Sequence, residues 1–158
     1  MKAVTITAIK QELKHLSQTE LIDICLQLSK FKKENKELVT YLLFESSNEE
    51  GFIETVKDEV DMQFLTINTS SYFYIKKSVR KILRFIKTNN RYSKNKETEI
   101  TLLLYFCVKM LEIEPSIKNS MVLKNIYLKE KEAIKKKLTS LHEDLQYDFT
   151  EELNNLKF

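Results

Sequence analysis

Glycine and proline are almost missing from this chain. Of 158 residues, one is glycine (Gly51) and one is proline (Pro115), where ordinary usage gives about eleven and about eight. Glycine takes positive φ at little cost and proline presets a turn, so hairpins and sheet corners draw on both. A chain this poor in them makes few sharp reversals. That excludes β-sandwiches, barrels and the glycine-rich loops that cradle phosphates in P-loop and dinucleotide folds. What remains is helices joined by short polar links. The expected fold class is all-α: a single-domain bundle over residues 1–158, or a short helical-repeat array, of about six or seven helices.

Other shortages narrow the function. Two cysteines, Cys25 and Cys107, stand in separate apolar stretches; they are too few for a disulfide framework and are expected as buried free thiols. The two histidines, His15 and His142, have no cysteine or carboxylate partner at metal-ligand spacing, and His142-Glu143-Asp144 lacks the second histidine of a zinc helix. No stretch approaches the ~20 apolar residues of a membrane span. The run Ala3–Ile9 is too short and polar for a signal-peptide core, and no small-residue cleavage site follows it. These absences lead to a non-enzyme with no metal or cofactor, no membrane association and a cytoplasmic location.

What is present supports a folded core. An apolar fraction of 42% sits beside 31% charged residues, which argues against global disorder. A short helix is expected over Thr7–Leu16. Ser17-Gln18-Thr19-Glu20 then reads as a capping box, opening a helix whose Leu21, Ile24, Cys25 and Leu28 share one face at the spacing of a buried stripe. A further helix is expected over Glu37–Phe44. Asn48 can cap the next, with Phe52, Ile53, Val56, Val60 and Phe64 turned inward. Asn68-Thr69-Ser70-Ser71 is a stop and restart, because short polar side chains compete for backbone hydrogen bonds.

Residues Thr98–Leu111 contain Leu102-Leu103-Leu104-Tyr105-Phe106-Cys107-Val108, apolar on every side, the mark of a central core helix. Pro115 marks a boundary, and one long helix is expected from about Ile117, broken if anywhere before Thr150. Its stripe Ile134, Leu138, Leu141, Leu145, Phe149, Leu153, Leu156 alternates steps of three and four. That spacing suits a coiled-coil seam or a terminal helix packed on its own bundle. Asn35-Lys36-Glu37 and Asn95-Lys96-Glu97 form a faint internal echo, each expected as a loop cap feeding a core helix.

Charge segregation is the strongest functional signal. From Met62 to Lys96 there is no Asp or Glu, and all three arginines fall in this window. At 100° per residue Lys76, Arg80, Arg84 and Lys87 lie within about a quarter turn, flanked by Lys77 and Lys81, while Ile75, Val79, Ile82, Leu83 and Ile86 take the other side. Arg91 extends the basic run. Two acidic blocks balance it: Glu49–Asp61, with six acids, and His142–Glu152, with five. Either these faces meet or are solvated, or the basic helix binds phosphates or an acidic protein surface. Tyr72, Phe73, Tyr74 and Tyr92 stand near it, placed to stack on bases or to pack.

Residues Leu13–Leu43 carry Leu-Lys-His-Leu-Ser-Gln-Thr-Glu-Leu-Ile and then Asn-Lys-Glu-Leu-Val-Thr-Tyr-Leu. This stretch, about a fifth of the chain, resembles the opening of an uncharacterised bacterial helical family, a domain of unknown function. The resemblance implies a cytosolic all-helical bacterial protein and carries no activity. The same stretch is similar to the helix-linker-helix of SAP-type DNA-binding modules, except that Ser29–Glu34 stands where those have a linker glycine.

The function expected is a non-catalytic interaction or scaffold protein with an unknown protein partner, as a monomer or weak homodimer. The alternative is a nucleic-acid-binding module. In either case Lys76, Lys77, Arg80, Lys81, Arg84, Lys87 and Arg91 form the candidate anion- or partner-binding surface.

Overall fold

Most helix starts follow the short polar residues placed for them. In a computed structural model describing residues 1–157, Thr5 opens α1 (Ile6–Leu13) by accepting the Ala8 N–H at 3.2 Å. Ser17 and Glu20 complete the capping box of α2 (Gln18–Phe31): the Ser17 N–H donates to Glu20 Oε2 at 2.8 Å and the Glu20 N–H donates to Ser17 Oγ at 3.3 Å. The Ser17 hydroxyl, which also donates to Glu20 Oε2 at 2.7 Å, and then the Ser17 N–H hold the Glu20 carboxyl below its usual range. Lys32 is extended and separates α2 from α3 (Lys33–Thr40), which a π-helical turn, Tyr41–Glu45, continues.

Asn48 opens α4 (Glu49–Leu65), its Oδ1 accepting the Gly51 N–H at 3.0 Å. The single glycine is explained there, since a Cβ at residue 51 would collide with the capping Asn48 side chain. α5 (Tyr72–Ser93) ends at Lys94, whose φ of 57° is the left-handed stop usually left to glycine. Asn95 caps α6 (Lys96–Leu111) by accepting the N–H groups of Glu97 and Thr98. After Pro115, joined to Glu114 by a cis bond, come a 3-10 turn (Ile117–Asn119), α7 (Met121–Leu138) and α8 (Glu143–Asn155).

The fold is all-α, with no strand among the described residues. Its eight α-helices exceed the six or seven expected, chiefly because the segment from Ile117 is not one long helix. It stops at Leu138, well before Thr150. The Thr139 and Ser140 hydroxyls turn back to donate to the carbonyls of Lys136 and Lys137, each at 2.8 Å, offering the backbone an alternative to further helix. The helix expected over Glu37–Phe44 begins earlier and ends as the π turn. The internal echo does not survive: Asn95 is a cap, whereas Asn35 lies inside α3 and donates to the Leu28 carbonyl at 2.9 Å.

The chain falls into two compact units, residues 1–44 and residues 45–158. In the first, α2 and α3 pack together with Leu21, Ile24, Leu38 and Val39 half-buried, and no residue of α1, α2 or α3 is fully buried. The stripe expected on α2 is therefore only partly covered: Cys25 and Leu28 are exposed. Cys25 was expected to be a buried thiol, but its helix has one short neighbour and no core to enter.

The second unit is built around α6, which packs against α4, α5, α7 and α8. Leu103, Leu104, Phe106 and Cys107 are buried there, with Phe52, Val56 and Val60 from α4 and Ile75, Val79, Ile82 and Ile86 from α5. Ile134, Leu138, Leu153 and Leu156 are buried as well. The three-four stripe thus serves the chain's own core, folded back on itself at the break between α7 and α8. Replacing Leu104 with Ala removes buried methyl groups from the centre and should cost about 2–5 kcal/mol. A melting temperature within a degree of wild type would contradict a central α6.

Burial also raises three titrations in this core, that of the buried Tyr127 hydroxyl and two that shift furthest. It pushes the Cys107 thiol up to about 12, the Glu130 charge adding to the effect. Burial and then the hydrogen bond to Asp61 (2.6 Å) push the Tyr105 hydroxyl up to about 12. Their ordinary values are 9.0 and 10.0. Between pH 9 and 12 the unfolded chain therefore releases protons that the folded chain keeps. This stabilisation is present below pH 9 and lost as pH rises toward 12, so the urea midpoint should fall from pH 9 upward. A thiol reagent at pH 8 should modify Cys25 in the native protein and reach Cys107 only in denaturant.

Candidate anion-binding face

α5 has two faces because its apolar and basic residues follow one period in antiphase. Ile75, Val79, Ile82 and Ile86 are buried against α4 and α6, with Leu83 half-buried. On the other side Lys77, Arg80, Lys81, Arg84, Lys87 and Arg91 are exposed and Lys76 is half-exposed. The structure therefore brings all seven candidate residues to one surface. From Lys76 to Arg91 they run about 22 Å at 1.5 Å per residue.

Two of the seven have polar partners. Lys87 Nζ lies 2.7 Å from Glu130 Oε1, whose side chain on α7 is only 3% exposed. Arg91 donates weakly to Thr88 Oγ1 at 3.4 Å. Lys76 Nζ sits 5.4 Å from the centre of the Phe73 ring, a cation–π contact. Among the described residues no ion pair holds Lys77, Arg80, Lys81 or Arg84. Glu99 borders the strip beside Arg84 and Arg91, but its carboxylate is engaged by Lys137 at 2.9 Å.

No acid of either block forms an ion pair with the strip among the described residues. Glu49 accepts the Ser93 and Thr98 hydroxyls between α5 and α6. Asp61 accepts the Tyr105 hydroxyl and lies 3.2 Å from Lys109 Nζ. Burial works against the charge on Lys109, but its bonds to Asp61 and Glu112 outweigh that and raise its titration. In the second block, Asp144 faces only His142 at 3.6 Å on open surface.

The four aromatics separate into two kinds. Tyr92 is buried, and Tyr72 is half-buried with its hydroxyl donating to the Ser116 carbonyl at 2.8 Å. Phe73 and Tyr74 are 62% and 46% exposed, edge to face at 5.4 Å. Phe73 shares a shallow groove with Lys76, Lys77, Arg80, Lys81 and Arg84.

Sequence reasoning missed Glu130. Lys129-Glu130-Lys131-Glu132 reads as a solvated helix face. The available signal was register, since Glu130 lies three residues after Tyr127 and four before Ile134, both buried. Its Oε2 is buried without a partner. No described helix is long and apolar enough to cross a membrane, and no three His, Cys, Asp or Glu side chains group to hold a metal among the described residues. Comparison with family models, with curated proteins and with solved structures finds no match.

Proposed function

We propose that this chain is a non-catalytic binding module whose working surface is the basic face of α5, and that its partner is single-stranded nucleic acid. One observation carries the reading: Lys77, Arg80, Lys81 and Arg84 are exposed on one continuous face with no ion pair among the described residues. Like charges four apart on a helix destabilise it by about 0.2–0.5 kcal/mol per pair, and Lys76–Arg80, Lys77–Lys81, Arg80–Arg84 and Lys87–Arg91 are such pairs. A bound polyanion relieves that repulsion and releases its own counterions. The exposed Phe73 ring at the end of the strip favours unpaired bases over duplex or an acidic protein, because a base must be unstacked from its neighbours to lie on it.

Four phosphate contacts on a single strand give a log–log salt slope of about −3. Reversing Arg80 and Arg84 to Glu should abolish binding of a short oligothymidylate, with stability changed by less than about 0.5 kcal/mol. Lys87 is unsuitable for this test because it is tied to the core through Glu130. No binding at low salt, or a charge-reversed variant that binds like wild type, would refute the reading.

Phe73→Ala should weaken single-strand binding by about five- to 150-fold, the equivalent of about 1–3 kcal/mol per stacked base, and leave duplex binding unchanged. Equal losses on both would assign the ring to packing rather than stacking.

A further inference from the structure

The N-terminal unit holds far more apolar surface than it covers. Within α2, Ile22, Leu26, Leu28 and Phe31 are all at least half exposed, at 50%, 51%, 54% and 75%. The only fully buried residue of residues 1–44 is Tyr41. Helices this short are marginal in water without tertiary packing, and units near 40 residues ordinarily need a metal, disulfides or association to hold. Cys25 has no second cysteine in the unit, the other being Cys107, so a disulfide within the unit is excluded.

Charge placement on α2 points to what covers its Ile22–Leu26 face. At 100° per residue Ile22 and Leu26 lie about 40° apart, and Lys30 and Asp23 follow within about 60° of Leu26. Asp23 and Lys30 therefore line one edge of the Ile22–Leu26 face. Both are exposed, and neither has an ion pair among the described residues. They are seven residues apart, about 10.5 Å along the axis, too far to pair with each other. A second α2 laid antiparallel, with the two-fold axis near Leu26, puts Asp23 beside the partner's Lys30, and Lys30 beside the partner's Asp23. The same operation packs Leu26 against its copy, sets Ile22 beside the aliphatic stem of the partner's Lys30, and opposes the two helix dipoles. One self-complementary patch used twice is the usual geometry of a two-fold dimer.

We infer that residues 1–44 are a self-association element and that the chain forms a dimer through antiparallel α2 helices. This inference is independent of the nucleic-acid reading. The test is sedimentation equilibrium of the full chain from about 1 to about 100 µM, a range that spans ordinary reversible dimers. Wild type should populate a dimer. Asp23→Lys turns both cross-pairs into repulsions and should weaken association about tenfold or more. Lys30→Asp should do the same, and the double exchange Asp23→Lys with Lys30→Asp should restore it. These are surface positions, and an unchanged circular dichroism melt verifies that each variant is folded. The Arg80→Glu and Arg84→Glu variant should dimerise like wild type, which separates this inference from the basic face. A monomer throughout the range, or a dimer indifferent to both single exchanges, would overturn it.

Discussion

A helix that is apolar on every side can sit only where other helices cover it, and α6 imposes this on residues 45–157. Leu102, Leu103, Leu104, Phe106 and Cys107 cannot all be satisfied by one neighbour, so α4, α5, α7 and α8 arrange themselves around them. Each of those helices then needs only one apolar face, and its outer face is released to carry charge. The basic strip follows from this division. α5 can devote a whole side to Lys and Arg because its other side, through Ile75, Val79, Ile82 and Ile86, is anchored on the centre.

The polar contacts refine this layout. Glu49 joins Ser93 and Thr98 across the α5–α6 loop, and Asp61 joins Tyr105 and Lys109 at the other end of α4. Both acids come from the block that composition alone would pair with the strip. Their engagement elsewhere leaves the strip's field pointing outward. Partly buried acids bonded to hydroxyls are displaced less readily than surface ion pairs, whose net contribution is often under about 1 kcal/mol.

Much of this was legible in residue order. The scarcity of turn formers gave the all-α class, Ser17 and Asn48 marked helix starts, and the Leu102–Val108 run marked the centre. Patterns of single residues were legible where one element decides the outcome. They failed where a tertiary neighbour decides it. Cys25 and Leu28 have the spacing of a buried stripe, but spacing says which residues share a face and not whether anything lies against it. The break at Thr139–Ser140 was hidden because the three-four stripe runs on through it, while the hydroxyls that end the helix are ordinary in a polar helix face. Glu130 was hidden for the opposite reason: its charged neighbours Lys129, Lys131 and Glu132 mask a position that register places in the core.

The Lys87–Glu130 contact makes surface chemistry and interior stability inseparable at one point. Acylating the Lys87 amine would remove one positive charge from the strip and, in the same event, strip a carboxylate of its partner while it remains enclosed by protein. Removing one member of a buried pair is far more damaging than losing an exposed one, although Lys87 itself is half in water and the loss is tempered by that. Amine-directed modification of this protein would therefore loosen the fold as well as discharge it. The guanidinium groups of Arg80 and Arg84, which such reagents leave untouched, mark where the same face can be altered in charge alone.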